Sequence, residues 1–251
     1  MANRFFIELS YRGTNYHGWQ IQDNAHSVQG ELNKALSVLL KEEITSIGAG
    51  RTDTGVHAKY FVAHFDSDHP DTIEKNDFLY HLNQILPLDI SIKSIKVVKP
   101  EAHARFDATS RTYEYIICRN KDPFWLNLAW MYHGYLNLEL MNQATRHLFS
   151  YIDFTSFSKV GSDVKTSNCK IISAQWEERD NLLTFNITAD RFLRNMVRAI
   201  VGTLVEVGRE KISVDKFSQI IALKNRSLAG SSAPAEGLYL TNIEYPTSLY
   251  K

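Results

Sequence analysis

Residues Gly48-Ala49-Gly50-Arg51-Thr52-Asp53-Thr54-Gly55-Val56-His57-Ala58 form the most unusual segment of the chain. Three glycines within eight residues permit positive φ angles and close approach of another backbone, and between them stand one guanidinium, Arg51, and one carboxylate, Asp53. The segment is not a phosphate loop. A Walker motif requires Gly-Lys-Ser/Thr, and the dinucleotide fingerprint lacks its third glycine because Asp53 stands there. A carboxylate in such a setting can act as a nucleophile or stabilise positive charge at a sugar. Taken bare, however, a glycine-rich turn holding an Arg and an Asp is more often a turn closed by an ion pair than an active site.

Other residues with chemical potential are less distinctive. Arg191, Arg194 and Arg198 are spaced by three and four, which on a helix makes a narrow basic stripe; a solvated helix face is the ordinary explanation. Tyr113 reads as an aromatic on an alternating strand, more readily core than site. His57, His64 and His69 are irregularly spaced across a strand and a loop, so no zinc site is expected and hydrogen-bonding or surface roles are. Arg111, Lys159, Lys165 and Arg194 are candidates for phosphate contact, although Lys and Arg are mostly just solvated. Cys118 and Cys169, the only cysteines, form no CxxC pair, so neither a disulfide framework nor a thiolate metal cluster is expected.

GAGRTDTGVHA resembles the signature of the tRNA pseudouridine synthase A family, whose catalytic residue is the Asp of the Arg-Thr-Asp triplet. Five more segments agree in the family's order: SYRGTNYHGWQ at 10–20, SRTYEY at 110–115, DFTSFS at 153–158, FLRNMVRAIVGTLVEVG at 192–208 and APAEGLYL at 233–240. The likeness spans nearly the whole chain. Thr54 departs from it, since a small side chain such as Ala is common there among relatives.

The resemblance implies an isomerase that converts uridines 38, 39 and 40 of the tRNA anticodon arm to pseudouridine, without cofactor or metal, as a cytoplasmic homodimer. It implies Asp53 as the catalytic carboxylate and Arg198 as the cation that keeps it ionised. Arg51 then holds the RNA and fills the gap left by the displaced base. Tyr113 stacks on the flipped uracil, with a hydroxyl able to take part in proton transfer. The implied fold is the α+β pseudouridine synthase fold, two related halves whose antiparallel sheets join around a central active-site cleft. Tyr16, His17 and Trp19 match the family's first block and are open to two readings, contact with RNA or packing that fixes the loop.

The elements that must position these residues follow from periodicity. Phe5, Ile7, Leu9 and Tyr11 alternate with polar positions, the pattern of a strand with one buried face. Ser27 is placed to cap a helix whose apolar stripe is Val28, Leu32, Ala35, Leu36 and Leu39. Two β-favouring stretches flank the glycine-rich turn, residues 66–77 read as loop, FLYHLNQIL as helix and ISIKSIKVV as strand. RTYEYIICR opens a second unit, with a helix at LELMNQATRHLF and two strands, IISAQWEE and LLTFNITAD, joined by a hairpin around Asp180-Asn181. A helix from about 191 to 206 is expected to carry the three arginines opposite Leu193, Met196, Val197, Ile200, Val201 and Leu204. A last helix around VDKFSQIIAL, a flexible Gly/Ser/Pro-rich stretch KNRSLAGSSAPAEG and the strand GLYLTNIEYP complete the reading. The expected division is a half at 1–104 carrying the Asp loop and a half at 105–251 carrying the Tyr strand and the basic helix.

At 251 residues, with 44% hydrophobic and 22% charged side chains, the composition is that of a globular protein able to bury a sizeable core. No apolar run approaches the roughly 18 residues of a membrane span, and the N-terminus lacks a signal peptide's apolar stretch, so a soluble, intracellular protein is expected. Basic and acidic residues balance at 28 each, so any surface that recognises RNA must come from local arrangement of charge and not from the total. Two rival functions remain at this level. One is a non-catalytic RNA-binding module; the other is a sugar hydrolase that pairs Asp53 with a second carboxylate such as Asp66 or Asp68.

Overall fold

The alternating N-terminal run forms β1 (Asn3–Tyr11), with Phe5, Ile7, Leu9 and Tyr11 buried as the pattern requires. In the computed structural model, which describes residues 2–159, 161 and 165–251, β1 is more deeply covered than a one-faced strand. Phe6, on the opposite face, is buried too, because Tyr245 and Tyr250 of the C-terminal segment meet its ring edge-on at 5.1 and 6.2 Å.

Ser27 caps α1 (Val28–Leu40) through a hydrogen bond to its Oγ from the Gly30 amide at 3.2 Å, and Lys41 ends the helix in the left-handed region at φ 56°. A two-residue strand, β2 (Ile47–Gly48), precedes the glycine-rich loop, and β3 (His57–Ser67) follows it. The polar segment 66–77 contains a single helical turn, α2 (Pro70–Ile73), started by its proline. Next come α3 (Phe78–Ile85) and β4 (Ile90–Val97). Asn83 docks α3 on β4 by accepting from the Ile92 amide at 2.8 Å and donating to the Ile92 carbonyl at 3.1 Å. β1 lies between β3 and β4, antiparallel to both, with Phe5, Ile7 and Leu9 opposite Phe65, Ala63 and Phe61 of β3.

The second group of elements begins with β5 (Ser110–Cys118), to which β6 (Trp130–Met131) adds a short parallel pairing. Asn137 caps α4 (Leu138–Arg146). β7 (Ile171–Arg179) and β8 (Leu182–Ala189) form the expected hairpin, turning through Asp180 at φ 55°, and β8 pairs antiparallel with β5 along its length. α5 (Met196–Gly208) and α6 (Val214–Ala222) follow, the latter capped by Ser213, and β9 (Leu238–Glu244) is the last strand. The β1–β3, β1–β4, β2–β3, β5–β8 and β7–β8 pairs are antiparallel and β5–β6 is parallel, in a mixed arrangement of helices and strands. The chain divides into two compact units, Met1–Thr109 with Leu240–Lys251, and Ser110–Tyr239. No helix among the described residues is long and apolar enough to cross a membrane.

Two expectations need correction. The helix expected from 191 begins at Met196, because Asn195 adopts a left-handed φ of 67° that no right-handed helix accommodates. Ahead of it, the Asp190 carboxylate accepts from the amides of Lys170 (2.8 Å) and Arg191 (2.7 Å), a local scheme that competes with helical bonding. Arg191 and Arg194 therefore precede the helix, only Arg198 rides on it, and the three do not form a stripe. The stretch 224–237, expected to be flexible, is fastened down. Asn225 caps a turn at Arg226–Leu228, Arg226 reaches the Gly230 carbonyl (3.1 Å) and Ser232 Oγ (3.1 Å), and the Gly230 amide donates to Thr203 Oγ1 at 2.9 Å.

Candidate active site

The loop between β2 and β3 carries Arg51, which is exposed, and Asp53, which is half-buried, on either side of Thr52. Its shape is set from outside by residues 11–19. The Thr52 hydroxyl accepts from the Trp19 amide at 3.0 Å and pairs with the Tyr11 hydroxyl at 3.0 Å. The Gly55 amide donates to the Tyr16 carbonyl at 3.3 Å, and the Gly13 amide donates to Nδ1 of the buried His57 at 3.0 Å. Within the loop, the Val56 amide closes a turn on the Asp53 carbonyl at 3.1 Å. Gly18 has φ +91°, and a Cβ there would stand 2.1 Å from the Thr52 carbonyl oxygen, so this position needs glycine for both conformation and clearance.

Residues 11–19 are themselves anchored. The Tyr16 hydroxyl and the Asn15 amide both reach the Asp89 carboxylate, and the Arg12 amide donates to the Asp89 carbonyl at 2.9 Å. Burial, followed by the bond to Asp89, raises the Tyr16 phenol above its ordinary pKa, so it stays a donor. Trp19 stacks on Phe61 at 4.2 Å. Of the three aromatic candidates of this block, Tyr16 and Trp19 are buried packing residues, whereas His17 is exposed.

Tyr113 and Arg198 belong to the second unit. Tyr113 sits on β5 opposite Ile187 of β8, half-buried, with Phe192 meeting its ring edge-on at 5.1 Å and 88°. Arg198, in the first turn of α5, donates from Nε to the Ala233 carbonyl at 2.7 Å, while the Ala233 amide donates back to the Arg198 carbonyl at 2.9 Å. The next residue, Pro234, accepts from the Tyr115 hydroxyl at 2.8 Å. Burial holds the Tyr115 phenol well above its usual pKa, Glu236 adds to this and the Arg198 cation opposes it, so Tyr115 remains protonated. The second unit thus gathers Tyr113 beside Phe192, and Arg198 beside Ala233 and Tyr115. Phe192 and Ala233 are partners that sequence reasoning missed; both lie in the family-like segments, but no periodicity singles them out.

Arg111 donates to the Asp190 carbonyl at 3.0 Å, and Lys159 and Lys165 are exposed. His64 Nδ1 accepts from the Ala104 amide at 3.1 Å. Burial above all, with His103 and Arg4 nearby, lowers its pKa to about 4. Among the described residues no group of three His, Cys, Asp or Glu side chains is placed to hold a metal ion. Asp66 is bound by Arg4 in two parallel bonds of 2.8 and 2.7 Å. It sits near the far end of β3, which at about 3.3 Å per residue puts it roughly 30 Å along the strand from His57. The two-carboxylate hydrolase needs acids less than about 10 Å apart, and Asp66 and Asp68 do not meet that requirement with Asp53.

Comparison with known proteins agrees with the sequence reading. A family model for tRNA pseudouridine synthases matches residues 144–246. The tRNA pseudouridine synthase A of Bacteroides thetaiotaomicron is 54% identical over 250 residues, covering 98% of this chain and 92% of the relative. That of Bacteroides fragilis is 53% identical, covering 100% and 99%, and that of Parabacteroides distasonis is 51% identical, covering 98% of each. Identity at this level along essentially the entire length settles the family: the chain belongs to the tRNA pseudouridine synthase A family.

Proposed function

We propose that this protein isomerises uridine to pseudouridine in tRNA, at nucleotides 38, 39 and 40 of the anticodon arm, with Asp53 as its catalytic carboxylate. The reaction breaks the bond between ribose C1′ and uracil N1, turns the base, joins C1′ to C5 and moves the C5 proton to solvent while N1 gains one. Nothing is oxidised or reduced and no group leaves, so no cofactor is required. One ionised carboxylate suffices, as nucleophile or as stabiliser of positive charge at the sugar, and no second acid is needed to deliver water.

The observation that carries this reading is family membership along the chain, joined to the placement of Asp53 on a loop fixed by its neighbours. In the proposal Arg198 supplies the cation that pairs with Asp53, and Tyr113 stacks on the uracil after it leaves the helical stack. Arg51, exposed beside Asp53, binds the RNA and fills the displaced base's place. The fold is that of two related halves around a cleft, and the enzyme works in the cytoplasm as a homodimer in which both subunits touch each tRNA.

The test is direct. Unmodified tRNA transcript is incubated with the protein and pseudouridine is mapped chemically. Asp53→Asn is expected to lower the rate by about a thousandfold or more while tRNA affinity stays within about tenfold, because the carboxylate acts in chemistry and not on phosphate. Robust product from that variant eliminates the proposal.

A further inference from the structure

We infer that the hydroxyl of Thr52 is a positioning group for Asp53, transmitting the order of residues 11–19 to the carboxylate; this rests on Asp53 being the catalytic residue. A hydroxyl offers one proton and two lone pairs. Here one lone pair takes the Trp19 amide at 3.0 Å, and the Tyr11 hydroxyl lies at 3.0 Å on another side. Tyr11 ends β1, and Trp19 lies eight residues later in the loop that follows. One side-chain oxygen therefore ties the end of β1 and the middle of that loop to the residue before Asp53.

Both partners are rigid. Trp19 is buried and stacked on Phe61 at 4.2 Å, and Tyr11 is buried and packed edge-on against the same ring at 5.7 Å. Thr52 has a restricted χ1 because it is β-branched, so fixing its Oγ1 fixes its Cα–Cβ direction and the peptide plane that it shares with Asp53. Gly18 lies close against the Thr52 carbonyl, where a Cβ would stand 2.1 Å from its oxygen, and the Asp53 carbonyl accepts from the Val56 amide at 3.1 Å.

The effect on rate should exceed the effect on folding. A hydrogen bond in a half-exposed loop adds modestly to stability, whereas a drift of about 1 Å in a reacting group can lower a rate about a hundredfold. The loss must fall on kcat, because Thr52 need not touch RNA to exert it.

The experiment uses the full-length protein and unmodified tRNA transcript, measuring kcat, KM, tRNA affinity and thermal midpoint for Thr52→Val, Thr52→Ser, Tyr11→Phe and Asp53→Asn. Thr52→Val keeps the shape and removes the hydroxyl; its kcat is expected to fall about 10- to 100-fold, with KM and affinity within about threefold of the original. Thr52→Ser restores the oxygen and is expected to return kcat to within about threefold of the original. Tyr11→Phe removes one partner and should lower kcat by about threefold or more, which keeps the test decisive even if Thr52→Val folds poorly. An unchanged kcat in Thr52→Val or Tyr11→Phe, with Asp53→Asn inactive, overturns the inference and leaves the catalytic reading standing. So does a Thr52→Ser variant as slow as Thr52→Val, or a KM that rises in step with the lost rate. An active Asp53→Asn overturns both.

Discussion

The loop at residues 51–57 and the helix α5 carry Asp53 and Arg198 respectively, yet they are held in place by different forces. The loop buries one apolar side chain, Val56, and is otherwise fixed by directional bonds: Thr52 to Trp19 and Tyr11, Gly55 to Tyr16, His57 to Gly13. The helix is fixed by burial, with Ala199, Ile200, Val201, Leu204 and Val207 wholly inaccessible, and only then by the paired bonds between Arg198 and Ala233. Directional bonds set position to a fraction of an ångström, whereas apolar burial mainly supplies stability. Disturbing the first should harm the rate more than the fold, and disturbing the second should harm the fold more than the rate.

One matched pair of glycines tests this most severely. A Cβ at Gly18 would stand 2.1 Å from the Thr52 carbonyl oxygen, and one at Gly202 would stand 1.8 Å from the Ser231 carbonyl oxygen. Each substitution by alanine forces backbone apart, at a cost of about 2–4 kcal/mol in stability. Gly202→Ala recovers about 1 kcal/mol of helix propensity, whereas Gly18→Ala adds the strain of a side chain at φ +91°. Urea unfolding should show both losses. At a temperature where both variants are folded, Gly18→Ala should have a kcat lowered by about a hundredfold, and Gly202→Ala one within about tenfold of the original. Equal losses of kcat would break the distinction.

The same contrast explains what could be read from sequence. Burial leaves a periodic trace, so β1, α1, α3, α6 and the β7–β8 hairpin were legible, down to the Ser27 cap and the Asp180 turn. Directional bonding leaves none. Leu193 continues the apolar period of α5 backwards, but the bonds to the Asp190 carboxylate and the left-handed Asn195 keep residues 191–195 out of the helix. The polar stretch 224–237 looks loose in composition and is held by Arg226 and Thr203. Tyr16 and Trp19 had two readings because nothing local to residues 16–19 reveals Asp89 or Phe61 as their partners. Asp53 stood out for a different reason: its setting of glycines and a guanidinium resembles a family signature, and resemblance carries information about distant partners that periodicity lacks.

A pH experiment extends the comparison along β3, whose His57 and His64 both use Nδ1 as a buried acceptor. Burial first, then the neighbouring His103 and Arg4, lowers the His64 pKa to about 4, with Asp66 and Asp107 opposing. An unfolded histidine titrates near 6.5. Between those two values the unfolded chain binds a proton that the folded chain does not, so stability is fully present above about pH 6.5 and is lost as pH falls toward 4. His64→Asn can keep an acceptor facing the Ala104 amide and cannot titrate. Unfolding free energies at pH 7 and pH 4 should show the original protein losing about 2–3 kcal/mol more than the variant. Equal losses would mean that the neutral imidazole is not a determinant of this strand.

The smallest effect compares two left-handed residues at helix ends. Lys41 closes α1 at φ 56° with an exposed side chain, and Asn195 precedes α5 at φ 67° with its amide donating to Ser232 Oγ at 2.6 Å. Both bear the strain of a Cβ in the left-handed region, which glycine removes. At Lys41 that relief is nearly the whole effect, so Lys41→Gly should raise the unfolding free energy by about 0.5–1 kcal/mol without altering kcat. At Asn195 the relief is set against a lost hydrogen bond that joins the start of α5 to the 224–237 segment, and Asn tolerates this conformation better than Lys to begin with. Asn195→Gly should therefore leave stability unchanged or lower it by up to about 1 kcal/mol, opposite in sign to Lys41→Gly. If both substitutions stabilise equally, the Asn195–Ser232 bond contributes nothing, and the left-handed start of α5 is a matter of backbone conformation alone.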